Sequence, residues 1–182
     1  MELNLSYQVI RSRRKTVSIQ ITPAGQVIVR CPARMPQSQI CAFVEGKAAW
    51  ILAHLPKEIP EPLTEQQLQE LSRKAKLYFP ERVAYFAPRV GVSWGRITIR
   101  CQKTRWGSCS AKGNLNFNCL LMLAPPEVAD YVVVHELCHR KHMNHGPEFW
   151  GEVAQVMPDY ALHRQWLRQQ GNQLLAILEA KN

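Results

Sequence analysis

The sequence predicts an α+β fold, with a small N-terminal antiparallel sheet followed by a mainly helical core. Three observations carry this. Val17, Ile19 and Ile21 alternate with polar residues near the start of the chain, the period of a half-buried strand. Apolar residues at helical spacing dominate from Gln37 to Phe86. After Pro125 the chain reads as helix to its end, with only short interruptions.

Taken in order, residues 7–10, 16–22 and 27–30 are rich in β-branched residues and read as strands. Pro23-Ala24-Gly25-Gln26 forms a turn between the last two. Residues 5–31 therefore make the small antiparallel sheet. One helix is expected over 37–55, from Ile40, Phe43, Val44, Ala48, Ile51 and Leu52. Pro56, Pro60 and Pro62 mark a linker, and the chain divides into a β-rich subdomain over 1–60 and a core over 61–182. A second helix starts at Thr64, whose capping box with Gln67 is legible, and Pro80 is expected to kink or break it. Strand character returns over 91–101, a polar loop follows over 104–113, and 115–121 is a further strand. Pro125 and Pro126 open a helix, Gly146-Pro147 separates it from one over 148–156, and a last helix from Tyr160 is interrupted near Gly171.

The 182 residues are 46% hydrophobic and 20% charged, enough to bury a real core. No apolar run is long enough to span a bilayer, and the first residues lack the apolar stretch of an export signal. A cytoplasmic protein without a membrane partner is expected. Its six cysteines form no CxxC pair, so free thiols are expected, with a Cys101–Cys109 disulfide and a cysteine metal site both disfavoured. The formal net charge of +9 favours polyanionic partners. The basic residues are spread along the chain, however, with one tight cluster at Arg11-Ser12-Arg13-Arg14-Lys15, so nucleic acid is an open but minor partner.

The chemistry sits at His135-Glu136-Leu137-Cys138-His139, directly after an apolar helical run. Histidines four apart lie about 40° apart around a helix, so both imidazoles face one side and bind one Zn²⁺. The glutamate beside the first histidine is placed to take a proton from a water on that ion. A catalytic zinc needs a third protein ligand. His145 is the leading candidate, provided the helix turns or stops after His139, and Asn144 suits a left-handed residue in that turn. His142, Glu148 and Glu152 are the alternatives. Cys138 points away from the ligand face and reads as a small core residue.

Three segments together, Arg105-Trp106-Gly107-Ser108-Cys109, Leu115-Asn116-Phe117-Asn118 and the run from Val132 through His139 with Asn144-His145-Gly146-Pro147-Glu148-Phe149-Trp150, resemble the YgjP-like metallopeptidase domain. That family sits with the zincin-like peptidases and is related to the SprT-like proteases. The resemblance spans nearly the whole chain. It implies a zincin-like α+β fold, Glu136 as catalytic base, and His135, His139 and His145 as zinc ligands. It also implies that Leu115, Asn116, Phe117 and Asn118 form the edge strand that pairs with an extended peptide or protein substrate. Arg105 would stabilise the oxyanion of a tetrahedral intermediate, although a structural ion pair is the plainer role for it.

Hydrolysis of nucleoside triphosphates to a monophosphate and pyrophosphate is the alternative enzyme, with Arg105, Lys112, Arg140 and Lys141 as phosphate holders. The chain lacks a Gly-rich phosphate cradle, which counts against that reading. A purely structural zinc site is less favoured still, because it usually takes four protein ligands and has no use for Glu136.

Overall fold

The computed structural model describes residues 5–22, 25–56 and 61–178. The chain forms two compact units that divide between Glu61 and Pro62.

The first unit holds strands β1 (Tyr7–Ser12), β2 (Ser18–Ile21) and β3 (Val27–Pro32), then helices α1 (Gln37–Glu45) and α2 (Ala48–His54). The sheet is mixed rather than antiparallel. Its order is β1-β3-β2, with β1 parallel to β3 and β2 antiparallel to it. The reason is the tight link between β2 and β3. The Thr22 and Gln26 backbones bond across it (2.8 Å), and the Thr22 hydroxyl accepts from the Gln26 amide at 3.1 Å. That hairpin reverses the chain, the short link 13–17 between β1 and β2 reverses it once more, and β1, filling the open edge of β3, therefore runs parallel to it. Pro23 and Ala24 of the expected turn lie outside the described residues, as does Pro60 of the linker.

The expected single helix over 37–55 is two helices, broken at Gly46 and Lys47. Gly46 is a poor helix former, and its amide closes back on the Ala42 carbonyl at 2.9 Å to end the first segment. Val27, Val29 and Cys31 from β3 and Ile40, Val44 and Ile51 from the helices make this unit's buried core.

The second unit opens with α3 (Glu65–Val90), capped by the Thr64–Gln67 box. Pro80 does not divide α3. A proline removes one helical hydrogen bond, and here the burial of Ala75, Phe79, Val83 and Phe86 on the core side outweighs that loss. Strands β4 (Ile97–Arg100), β5 (Gly107–Cys109) and β6 (Leu115–Asn118) form a sheet of order β4-β6-β5, with β4 parallel and β5 antiparallel to β6. A 3-10 helix (Cys119–Leu123) follows at once, because the Asn118 side chain accepts from the Leu120 amide at 3.1 Å and turns the chain. Then come α4 (Pro126–Cys138), α5 (Pro147–Val156) and α6 (Tyr160–Ala176).

The core lies between α3, the sheet and α4. Phe79 stacks on Phe117 with ring centroids 4.5 Å apart. Asp130, near the start of α4, accepts hydrogen bonds from Arg82 Nε at 2.7 Å and the Tyr78 hydroxyl at 2.8 Å, tying α4 to α3. The helix α6 runs through Gly171 without the expected interruption. A Cβ there would come within 3.0 Å of the Trp106 ring, so the glycine serves close packing rather than a break. Among the described residues no helix is long and apolar enough to cross a membrane.

Candidate metal centre and cleft

The helix α4 is buried nearly all round. Val128, Ala129, Tyr131 to Val134, Leu137 and Cys138 are all in the core, which fixes the rotation of the helix and leaves His135 and His139 on its one open stripe. The helix ends at Cys138, and two 3.0 Å amide bonds from Lys141 and His142 to the Cys138 carbonyl turn the chain. No non-glycine residue among those described has a positive φ, so this turn needs no left-handed Asn144.

The turn returns His145 to the helix. His135, His139 and His145 each present a nitrogen, and these lie within 4.8 Å of one another. The Nε2 atoms of His135 and His145 face each other at 3.0 Å. Phe149, fully buried on α5, packs against all three rings at centroid distances of 4.6 to 4.9 Å. Beside it, the Trp150 indole N–H donates to the His145 carbonyl at 3.1 Å.

The electrostatics of the cluster favour neutral imidazoles. Burial, reinforced by the neighbouring His139 and His145, holds His135 down to about 3. Burial also lowers His139, although the His142 carbonyl accepts from its Nδ1 at 3.0 Å and works the other way. That bond fixes the His139 tautomer and turns the Nε2 lone pair outward, the usual second contact of a metal-binding histidine. His135 Nδ1 is buried without a hydrogen-bond partner. Three imidazoles with converging nitrogens fit one divalent metal ion.

Glu136 is 5% exposed, and burial pushes its carboxyl up to about 8. The strand β5 passes directly over it. A Cβ on Gly107 would lie 2.6 Å from Glu136 Oε1 and 2.8 Å from its Cγ, so only glycine permits this approach. His135, Glu136, Gly107, Arg105, Trp106 and Tyr131 share the wall of a cleft of about 290 Å³.

Arg105 is exposed on this cleft, and among the described residues no carboxylate pairs with it. The alternatives for the third ligand sit elsewhere. Glu148 lies outward, 3.5 Å from His142, and Glu152 pairs with Lys141 at 2.9 Å. Of the four basic residues considered for phosphates, Lys141 is thus occupied, and Arg140 donates to the carbonyls of Ser93 and Ala111, both at 3.1 Å.

The segment expected as the substrate edge is not an edge. Leu115 to Asn118 is the central strand β6, paired on both sides, with Leu115, Phe117 and Asn118 buried. The Asn116 amide bonds to Ser108 Oγ at 3.1 Å. Asn118 donates to the carbonyls of Gln102 at 2.7 Å and Arg105 at 2.9 Å, anchoring the loop that carries Arg105. The edge beside α4 is β5, inside the segment that reads as a polar loop. Gly-Ser-Cys has little strand propensity, so a three-residue strand there leaves no periodic signal. Phe149, the floor beneath the histidines, stands in a segment that carries the family resemblance, but nothing in the sequence assigns it that place.

The family model for the YgjP-like, metallopeptidase domain matches residues 15–70 and 56–170. Two similar solved structures are metallopeptidase zymogens. Abylysin of Pyrococcus abyssi is 23% identical with a TM-score of 0.45, over 50% of this chain and 95% of that one. Jannalysin of Methanocaldococcus jannaschii is 21% identical with a TM-score of 0.45, over the same shares. No curated protein matches the chain.

Proposed function

The chain belongs to the YgjP-like metallopeptidase domain family, and from that premise we propose that it is a zinc-dependent peptidase acting through His135, His139, His145 and Glu136. The observation that carries the reading is the convergence of three imidazole nitrogens within 4.8 Å beside a buried carboxyl. When bound, zinc supplies a Lewis acid that polarises the scissile carbonyl and acidifies water. His139 is held in the metal-binding tautomer by the His142 carbonyl. Glu136 accepts a proton from the attacking water at its carboxylate and returns it to the leaving amine. Burial leaves that carboxylate poorly solvated and so more basic, and a dication beside it, when bound, keeps it ionised.

Arg105, which no carboxylate among the described residues holds, is placed to stabilise the oxyanion. An extended peptide would pair with the free edge of β5 and run along the cleft above Glu136. The nucleotide reading loses support because Arg140 and Lys141 are engaged within the protein.

Metal content by elemental analysis tests the site, on the native chain, His145→Ala and Glu136→Gln, with casein and nucleoside triphosphates assayed on the same samples. The expected result is one zinc per chain, lost in His145→Ala and kept in Glu136→Gln, with casein cleaved only by the native chain. Full zinc in His145→Ala would overturn the ligand set, and turnover of nucleotides alone would overturn the peptidase.

A further inference from the structure

The parallel pairing of β4 with β6 sets Arg100 opposite Asn118, so the residues that follow the two strands, Cys101 and Cys119 at the start of the 3-10 helix, meet just beyond the ladder. Their sulfurs are 3.0 Å apart. A disulfide holds its sulfurs about 2.0 Å apart, so an approach of about 1 Å closes the bond. Cys109, whose pairing with Cys101 the sequence already disfavours, has its sulfur near the Ser110 carbonyl at 3.5 Å. The two partners differ in access: Cys101 is exposed and Cys119 fully buried.

We propose that Cys101 and Cys119 are a modification site for small-molecule disulfides, forming a reversible intramolecular disulfide by way of a mixed disulfide on Cys101. In the first step the Cys101 thiol loses its proton and its sulfur attacks one sulfur of oxidised glutathione. One glutathione thiolate leaves, and Cys101 carries the other glutathione. In the second step Cys119 loses its proton and its sulfur displaces that glutathione from Cys101. One protein S–S bond has formed, two protein S–H bonds are gone, and the oxidant has become two thiols. The order follows from access, because the oxidant reaches Cys101 and cannot reach Cys119.

The pair is not a fast sensor. Burial, with the Cys119 sulfur beside it, pushes the Cys101 thiol up to about 12, so little thiolate is present at neutral pH and oxidation is slow. Its consequence is structural. The bond closes residues 101–119 into a covalent ring that contains Arg105, Gly107 and the edge strand β5, and so secures the base of the cleft wall.

The test is prolonged incubation of the full chain with excess oxidised glutathione, alkylation of the remaining thiols, and peptide mapping by mass spectrometry. A Cys101–Cys119 linked peptide is expected, with two fewer free thiols and full reversal by dithiothreitol. The thermal midpoint should rise by roughly 6–12 °C, as closure of a ring of this size implies. Cys119→Ser should trap glutathione on Cys101, and Cys101→Ser should leave Cys119 unmodified. Should Cys119→Ser fail to fold, the native chain and the exposed-site variant Cys101→Ser still decide the matter. Stable glutathione on Cys101 of the native chain, a Cys101–Cys109 link, a glutathione adduct on Cys119 in Cys101→Ser, or no reaction at Cys101 would each overturn the proposal.

Discussion

Replacing Glu136 by Gln should stabilise the metal-free protein, by an amount that grows with pH. Burial raises the Glu136 carboxyl from its ordinary 4.5 to about 8. Between those values the unfolded chain releases a proton that the native chain retains, so native stability falls as pH rises through the window. At pH 7 the loss is about 3 kcal/mol, at pH 5 about 1 kcal/mol, and below pH 4 close to nothing. Gln is neutral throughout and escapes the loss. His135 has a lowered pKa and the opposite sign, its contribution disappearing as pH falls from 6.5 towards 3. It is common to both proteins and cancels in the difference.

The assay is thermal denaturation of chelator-treated protein from pH 4 to pH 8. The variant should melt roughly 6–12 °C above the native chain at pH 7, and level with it at pH 4. Loaded with zinc, the two should converge, because a nearby dication favours the carboxylate. Equal midpoints at every pH without metal would mean that Glu136 ionises freely, and the account of it as a desolvated base would fail.

Three further outcomes follow from the same geometry. Gly107→Ala puts a methyl group against the Glu136 carboxylate, so peptide hydrolysis should drop about a hundredfold with zinc content and circular dichroism unchanged. Asn118→Ala removes three hydrogen bonds from a buried position and should cost about 2–4 kcal/mol in urea denaturation, with the 102–106 loop loosened as read by hydrogen exchange. Arg105→Ala should lower kcat by about 10²–10³ while zinc content holds, and Arg105→Lys should restore part of the loss. An unchanged kcat in Arg105→Ala would remove Arg105 from the oxyanion role.

Local rules made much of the second unit readable. The Thr64–Gln67 box, the prolines opening α4 and α5, and the apolar run before His135 each act over a few residues, and the structure follows them. The two histidines four apart needed only helical geometry to share a face. What was not readable depends on partners distant in sequence. That β1 runs with β3 follows from two chain reversals, at 13–17 and at the β2–β3 hairpin, together with β1 pairing on β3 rather than on β2, its neighbour in sequence. Gly171 reads as a break until Trp106 is set against it, and Pro80 reads as one until the α3 core face is counted.

By itself, then, the sequence determined the family, the α+β content and the helix that carries His135, Glu136 and His139, because periodicity and capping are local and that motif is compact. Only the tertiary structure brought His145 within reach of that helix over the Phe149 floor. It alone made β5 rather than β6 the free edge, and it alone set Gly107 against Glu136. The physical reason is common to all three. Strand pairing and close packing are settled by which surfaces can be buried together, and that choice is made by the whole chain at once rather than by any segment of it.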